Sequence, residues 1–338
     1  MTSRITPLRA AIGFVLLLLV TILILYRLPS GDYILLPDIA HPVEPLVHVQ
    51  GAKTAKGGTI YFVDVFERQA REIEWMFPWL HSHATLLPAS EVVPPGSSDA
   101  ALIQAEEREM SMSQQIAAAV ALKHLGYHVG IQPDGVLVNA LDSGTPASRV
   151  LQPADVIQAV DGTQTPTISA LRARLSHVTP GQTVALRILR GTKVLSIGVR
   201  TVAIQQAPTR ALIGFEPAQS AKITLPIRVS IDAHDIGGPS AGLAFALEVM
   251  QQLGHDVTHG HNVAATGEME LNGTVSPIGG VEQKTWGVRE AGADVFLVPV
   301  GDDNVRDARK YAGPKLKIIP VRSFAQALHA LATLPPAR

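Results

Sequence analysis

Ala10 to Tyr26 is a run of 17 consecutive uncharged, mostly apolar residues held between Arg9 and Arg27, with Val15-Leu16-Leu17-Leu18-Leu19-Val20 at its centre. As a helix, such a run sits at the lower limit for crossing a bilayer. A cleaved signal peptide has the same basic start and apolar core. Here Tyr26-Arg27-Leu28-Pro29 follows in place of a small-x-small cleavage pattern, so the expectation is an uncleaved anchor over residues 1–30. Arg4 and Arg9 precede the run, and only Arg27 closely follows it before Asp32 and Asp38. That slight positive bias predicts a cytoplasmic start and an extracytoplasmic remainder, a single-pass cell-membrane protein. The absence of cysteine agrees with an exported chain that has no disulfides.

Roughly 310 residues remain outside that run, enough for two domains, and the 46% hydrophobic fraction can supply their cores. A net charge of −1 leaves no basic stripe to suggest nucleic acid. The chain carries no Gly-x-x-x-x-Gly-Lys-Ser/Thr phosphate loop, so it has no means of hydrolysing ATP by that route.

The chemistry-bearing residues lie towards the C-terminal end. Ser240 follows the turn Ile236-Gly237-Gly238-Pro239 and opens a segment with Leu243, Ala246, Leu247, Met250 and Leu253 at helical spacing, closed by Gly254. A serine at a helix N-terminus sits among unpaired backbone N–H groups that suit the oxyanion of a tetrahedral intermediate. Lys284 stands 44 positions on, in a second helix beginning near Val281, where Val281, Lys284 and Val288 fall at i, i+3 and i+7 on one apolar face. Burial lowers a lysine pKa, and a neutral amine can take the serine proton and return it to a leaving group. Read as bare residues, the serine is equally an N-cap and the lysine a snorkelling surface residue.

The surrounding words carry a resemblance. Gly-Gly-Pro-Ser-Ala-Gly at 237–242, Ala265-Thr266-Gly267-Glu268-Met269-Glu270-Leu271-Asn272-Gly273-Thr274-Val275, Pro277-Ile278-Gly279-Gly280, Lys284, Ala291-Gly292-Ala293 and Val298-Pro299 resemble, in order and interval, the proteolytic domain of Lon proteases over about 205–335. The resemblance implies a Ser-Lys dyad of Ser240 and Lys284. It also implies that Thr266 orients the lysine by a hydrogen bond to its amine, and that the α/β fold is shared with domain 2 of ribosomal protein S5. ATP-dependent Lon enzymes often carry an acid three positions before the serine, where this chain has Gly237; Asp235 is the nearest carboxylate in sequence. Gly-Gly-Pro-Ser is closer to the membrane-anchored, PDZ-containing Lon-like proteins of bacteria.

The remainder fits that narrower likeness. Between residues 124 and 203, Gly135-Val136-Leu137-Val138, Ser143-Gly144-Thr145-Pro146-Ala147 and Asp155-Val156-Ile157-Gln158-Ala159-Val160-Asp161-Gly162 are followed by a helix marked by Ile168, Leu171 and Leu175. Alternating Val184, Leu186 and Ile188 then lead to a turn at Gly191-Thr192. The order resembles a bacterial PDZ domain, which binds extended peptide ends by strand addition. Ala154 stands where that pattern has glycine. A packing module with a closed groove is the alternative.

Residues 31–123 read as a scaffold: Thr59 to Val65 as one strand, Pro88 to Ser98 as a connection, and Ser113 to Leu125 as a helix closed by Gly126. The stretch Met110 to Ala119 also has its likeness in the membrane-anchored proteins. Residues 204–338 read as the Lon-like part, with Ile223 to Ile231 one alternating strand, Val295–Val298 and Lys317–Val321 buried strands, and Ser323 capping a last helix.

Metal ligation by His255, His259 and His261 with Asp256 is the weaker reading of a short polar connection, and His81 and His83 are weaker still. No cofactor is expected. The expectation is an ATP-independent membrane-anchored serine endopeptidase acting on polypeptide substrates recruited or gated by the PDZ domain. The alternative is a non-catalytic PDZ scaffold with a degenerate Lon-like domain. Homo-oligomerisation stays open.

Overall fold

The computed structural model describes residues 7–53, 57–93, 99–142, 144–204, 207–233, 236–301 and 303–335. Helix α1 (Pro7–Arg27) has a mean hydropathy of 2.7 and no buried residue, long and apolar enough to cross a membrane. Its one hydroxyl amid the leucines, Thr21, donates back to the Leu17 carbonyl at 2.9 Å, so no side-chain donor there goes unpaired.

The chain leaves α1 into the strand Pro29–Pro37, the centre of a three-stranded antiparallel sheet between Val65–Arg71 and Thr85–Pro88. Helices α2 (Glu72–Met76) and α3 (Ala89–Val92) flank it, and α4 (Asp99–His124) follows. That last helix starts well before the expected Ser113; Gly126, at φ 83°, takes up the left-handed conformation that ends it. The expected single strand Thr59–Val65 breaks at Val63-Asp64: Ile60–Phe62 belongs to one sheet and Val65–Arg71 to another.

The PDZ-like part is a sheet in the order Lys193–Arg200, Thr183–Arg190, Val156–Val160, Gly130–Leu141, Phe215–Thr224, with α5 (Ile168–Leu175) packed against it. Thr167 caps α5 by accepting the Ala170 N–H at 3.1 Å. Alternating Val184, Leu186 and Ile188 are fully buried over Val136, Val138, Ile157 and Leu171, which is the period-2 pattern resolved into one core face. Ala154 adopts φ 68°, the conformation glycine would take without strain.

The C-terminal part is built on a sheet in the order His41–Pro42, Ile60–Phe62, Val263–Ala265, Val295–Pro299, Lys317–Val321, parallel through the last four. Val263, Ala265 and Leu297 face a core with α6 (Gly242–Gln252) and α4, while Ala264, Phe296 and Val298 face a second with α7 (Val281–Glu290) and α8 (Asn304–Tyr311). Burial on both faces explains why these strands read as continuous apolar runs. Lys317–Val321 is only half-buried, since it is the sheet's edge. Helix α9 (Phe324–Ala332) closes the first core, with Ser323 accepting the Gln326 N–H as the expected cap.

Val43, Ile60 and Phe62 of the scaffold segment, with Met110, Ala117 and Ala121 of α4, lie in the same core as α6. Another expectation changes here: Ile223–Ile231 is not one strand. Phe215–Thr224 joins the PDZ-like sheet and Val229–Ile231 pairs with Val47–Val49, separated at Leu225–Arg228, where Pro226 has no N–H for a ladder.

Candidate functional site

Ser240 lies in the turn before α6. Gly238 takes φ 75° and the helix proper begins at Gly242, two residues later than a serine opening the helix would require. The turn is tied down from two sides. On one, the Ser240 carbonyl accepts the Gly267 N–H at 2.8 Å and the Thr266 hydroxyl at 3.2 Å. On the other, the Pro239 carbonyl accepts the Ser113 hydroxyl of α4 at 2.9 Å. Gly242 is required where α4 crosses: a Cβ there would stand 2.9 Å from Ser113 Oγ and 3.1 Å from Met269 Cγ. Ser240 and Ala241 precede the first turn of α6, a helix end whose leading backbone N–H groups have no intrahelical acceptor.

Lys284 lies one turn into α7, 3% exposed, and its Nζ is hydrogen-bonded to Ser240 Oγ at 2.7 Å. Burial pushes its pKa down to about 8, against the upward pull of Asp64. The lysine is therefore largely neutral not far above physiological pH, when Oγ–H donates to the amine and the proton path is already made.

Asp64 is the member that sequence reading missed. It sits in the break between two strands expected to be one. Its place beside Lys284 follows from the packing of α7: a Cβ on Gly280 would stand 3.0 Å from Val65 Cγ1, and one on Gly287 would stand 3.2 Å from Val63 Cγ2. Residues 280, 284 and 287 share a helix face, so Lys284 looks at the residue between. Burial, and then Asp38, raise the Asp64 pKa, and its buried Oδ1 has no hydrogen-bond partner among the described residues. The only sequence signal was an acid embedded in an otherwise apolar strand.

Thr266 is fully buried, and its hydroxyl donates to the Ser240 carbonyl at 3.2 Å. Its geometry fixes the backbone at Ser240. Gly237, expected to leave the site short of an acid, faces Glu106 of α4: a Cβ at 237 would lie 3.2 Å from Glu106 Oε2. Asp235 lies outside the described residues. Ser240 and Lys284 line a cleft of about 1150 Å³ that Glu106, Glu109 and Glu268 also line. Burial pushes both Glu109 and Glu268 up, with Glu268 and Glu106 adding to the rise at Glu109 and Glu270 to that at Glu268.

The loop histidines are not gathered into a metal site among the described residues. Asp256 Oδ1 accepts the N–H groups of Thr258 and His259, an Asx-type turn, and His261 pairs with the Pro335 carbonyl. His81 hydrogen-bonds Glu74, and His83 stacks on Trp286 at 4.1 Å.

A second concavity, of about 190 Å³, lies between α5 and the segment Arg210–Pro217, lined by Ile168, Leu171, Leu175, Ile213 and Phe215. Gly214 takes φ 99°, and any side chain there would strike Thr145. The strand that borders this groove, Phe215–Thr224, pairs with Gly130–Leu141, which the spacing of the PDZ words alone did not include.

Residues 196–333 match the C-terminal proteolytic domain of Lon protease (S16), and residues 112–201 match the PDZ domain. Among curated relatives, Lon protease 2 of Bacillus subtilis is 33% identical over 125 residues, 37% of this chain and 21% of that protein. Lon protease of Rhizobium meliloti is 31% identical over 140 residues, 40% of this chain and 17% of that protein. The chain thus spans about a fifth of the length of these relatives. The crystal structure of the PDZ domain of the SdrC-like protein from Listeria monocytogenes is 26% identical, covering 25% of this chain and 88% of that one with a TM-score of 0.24.

Proposed function

We propose that this chain, which joins a PDZ domain to a Lon-type C-terminal proteolytic domain, hydrolyses polypeptides with Ser240 as nucleophile and Lys284 as general base. The observation that carries the reading is the 2.7 Å bond between Ser240 Oγ and an amine that burial holds near a pKa of about 8. Neutral Lys284 takes the proton as Oγ attacks a peptide carbonyl, the N–H groups of Ser240 and Ala241 receive the developing oxyanion, and the ammonium returns the proton to the leaving amine. Asp64 steadies the transient Lys284 cation, and Thr266 with Ser113 fixes the serine turn. Hydrolysis proceeds without ATP. The groove beside α5 receives an extended peptide end by pairing along Phe215–Thr224, bringing substrates to the protease or gating it. Helix α1 anchors the chain with its catalytic region outside the cytoplasm.

The test is casein cleavage and fluorophosphonate labelling of the full-length chain in detergent micelles. Ser240→Ala, Lys284→Ala and the double variant lose similar activity, at least about a thousandfold each, because nucleophile and base act as one unit. Strong cleavage by Ser240→Ala moves the nucleophile elsewhere, and absent labelling of the unmodified chain favours a non-catalytic PDZ scaffold. Protease added to intact spheroplasts digests the ectodomain and leaves a small membrane-bound stub; full protection reverses the orientation.

A further inference from the structure

The segment Glu72–Leu80, α2 and the 3-10 turn Pro78–Leu80, presents an apolar surface to solvent that no part of the described chain covers. Trp75 is 52% exposed, Met76 49%, Phe77 39% and Trp79 77%. Two tryptophans and a phenylalanine in five residues, Phe77 and Trp79 edge to face at 5.8 Å, make a patch of the kind that marks an interaction surface.

Its position says what covers it. The Glu72 N–H donates to the Leu28 carbonyl at 3.0 Å, one residue past the end of α1. The Arg71 guanidinium lies over the Tyr26 ring at 4.9 Å and donates to the Tyr26 carbonyl at 2.7 Å. The patch is thereby pinned to the C-terminal end of the apolar helix, the level at which a spanning helix passes into lipid headgroups. The pinning is rigid, because Glu74 is held by Arg68 on one side and by His81 at 2.8 Å on the other. Amphipathic indole rings favour that layer of a bilayer, and Arg27 and Arg71 at the same level suit its phosphates.

We propose that Glu72–Leu80 is a membrane-interface anchor, in which Trp75, Met76, Phe77 and Trp79 insert among the headgroups and upper acyl chains of the bilayer that α1 crosses. The inference rests on reading α1 as a membrane span. The anchor adds a second attachment point to that of α1, so the ectodomain is held against the lipid surface in one orientation instead of swinging about a single helix end.

The chain has three tryptophans, and the third, Trp286, is partly buried against His83 and Arg289 in the C-terminal part. Quenching of tryptophan fluorescence therefore reads the patch directly. The full-length chain is reconstituted in phosphatidylcholine vesicles brominated either near the carbonyl ends or near the methyl ends of the acyl chains. Bromines near the carbonyl ends quench the larger part of the emission, bromines near the methyl ends quench little, and the Trp75→Phe/Trp79→Phe chain loses that difference. A chain that stays in the vesicles through carbonate extraction, yet is quenched only by acrylamide in the water, overturns the anchor while leaving α1 as a span. A chain that carbonate extracts overturns the span and the anchor with it.

Discussion

The Ser113 hydroxyl of α4 donates to the Pro239 carbonyl at 2.9 Å, joining residues 126 positions apart and fixing the turn that carries Ser240. The helix is thus part of the scaffold that holds Ser240. Losing this bond costs about 1 kcal/mol of stability in the turn. Ser113→Ala is therefore expected to lower kcat several-fold with little change in KM. Gly242→Ala, which would drive a Cβ against Ser113 Oγ and Met269, is expected to be worse in both rate and thermal stability. Steady-state kinetics with a fluorogenic peptide and a thermal melt check both; an unchanged Ser113→Ala rate removes α4 from the site.

The pH dependence follows from Lys284. The base works only when neutral, so kcat/KM rises with pH along one limb with a midpoint of about 8. Asp64 favours the ammonium form, so Asp64→Asn is expected to move the midpoint downward, and Asp64→Glu to restore it in part. Asp38 and His41 beside Asp64, and Glu106, Glu109 and Glu268 in the cleft lining, remain in that variant, so the shift reports on the one carboxylate. Lys284→Arg abolishes activity, because guanidinium stays charged. A midpoint unmoved by Asp64→Asn removes Asp64 from the electrostatics of the base.

Thr266 separates two roles by the same measurement. Its hydroxyl goes to the Ser240 carbonyl at 3.2 Å. Thr266→Val keeps the shape and removes that bond, so kcat is expected to fall roughly fivefold to tenfold, the effect of about 1 kcal/mol, with the pH midpoint in place. Thr266→Ser should recover the rate. A shifted midpoint would mean that the threonine acts on the lysine amine instead.

Ala154 holds φ 68° in the turn before Val156–Val160. A side chain with a Cβ pays about 1 kcal/mol or more in that region. Ala154→Gly is expected to raise the melting temperature by a few degrees with protease activity unchanged, less whatever glycine gains in unfolded-chain entropy. A lower melting temperature would show that the turn is not strained.

Local sequence determined what depends on near neighbours. The apolar run of α1, the cap at Ser323, the alternation of Val184, Leu186 and Ile188 and the face of α7 that buries Lys284 all follow from local sequence, because a period of 2 or 3.6 dictates which side of an element meets the core. The choice of Ser240 and Lys284 as candidates came from the words around them, which are long and ordered. Contacts between distant segments were decided only by the tertiary structure. The strand Thr59–Val65 looked continuous, and only the packing of Gly280 and Gly287 against Val65 and Val63 shows why it breaks to put Asp64 beside the amine. Likewise the Thr266 hydroxyl met the Ser240 carbonyl, and Glu106 came to face Gly237 from a helix more than a hundred residues away. Such partners leave no local periodicity to read, because their energy comes from desolvating and pairing groups that meet only once the chain has closed on itself.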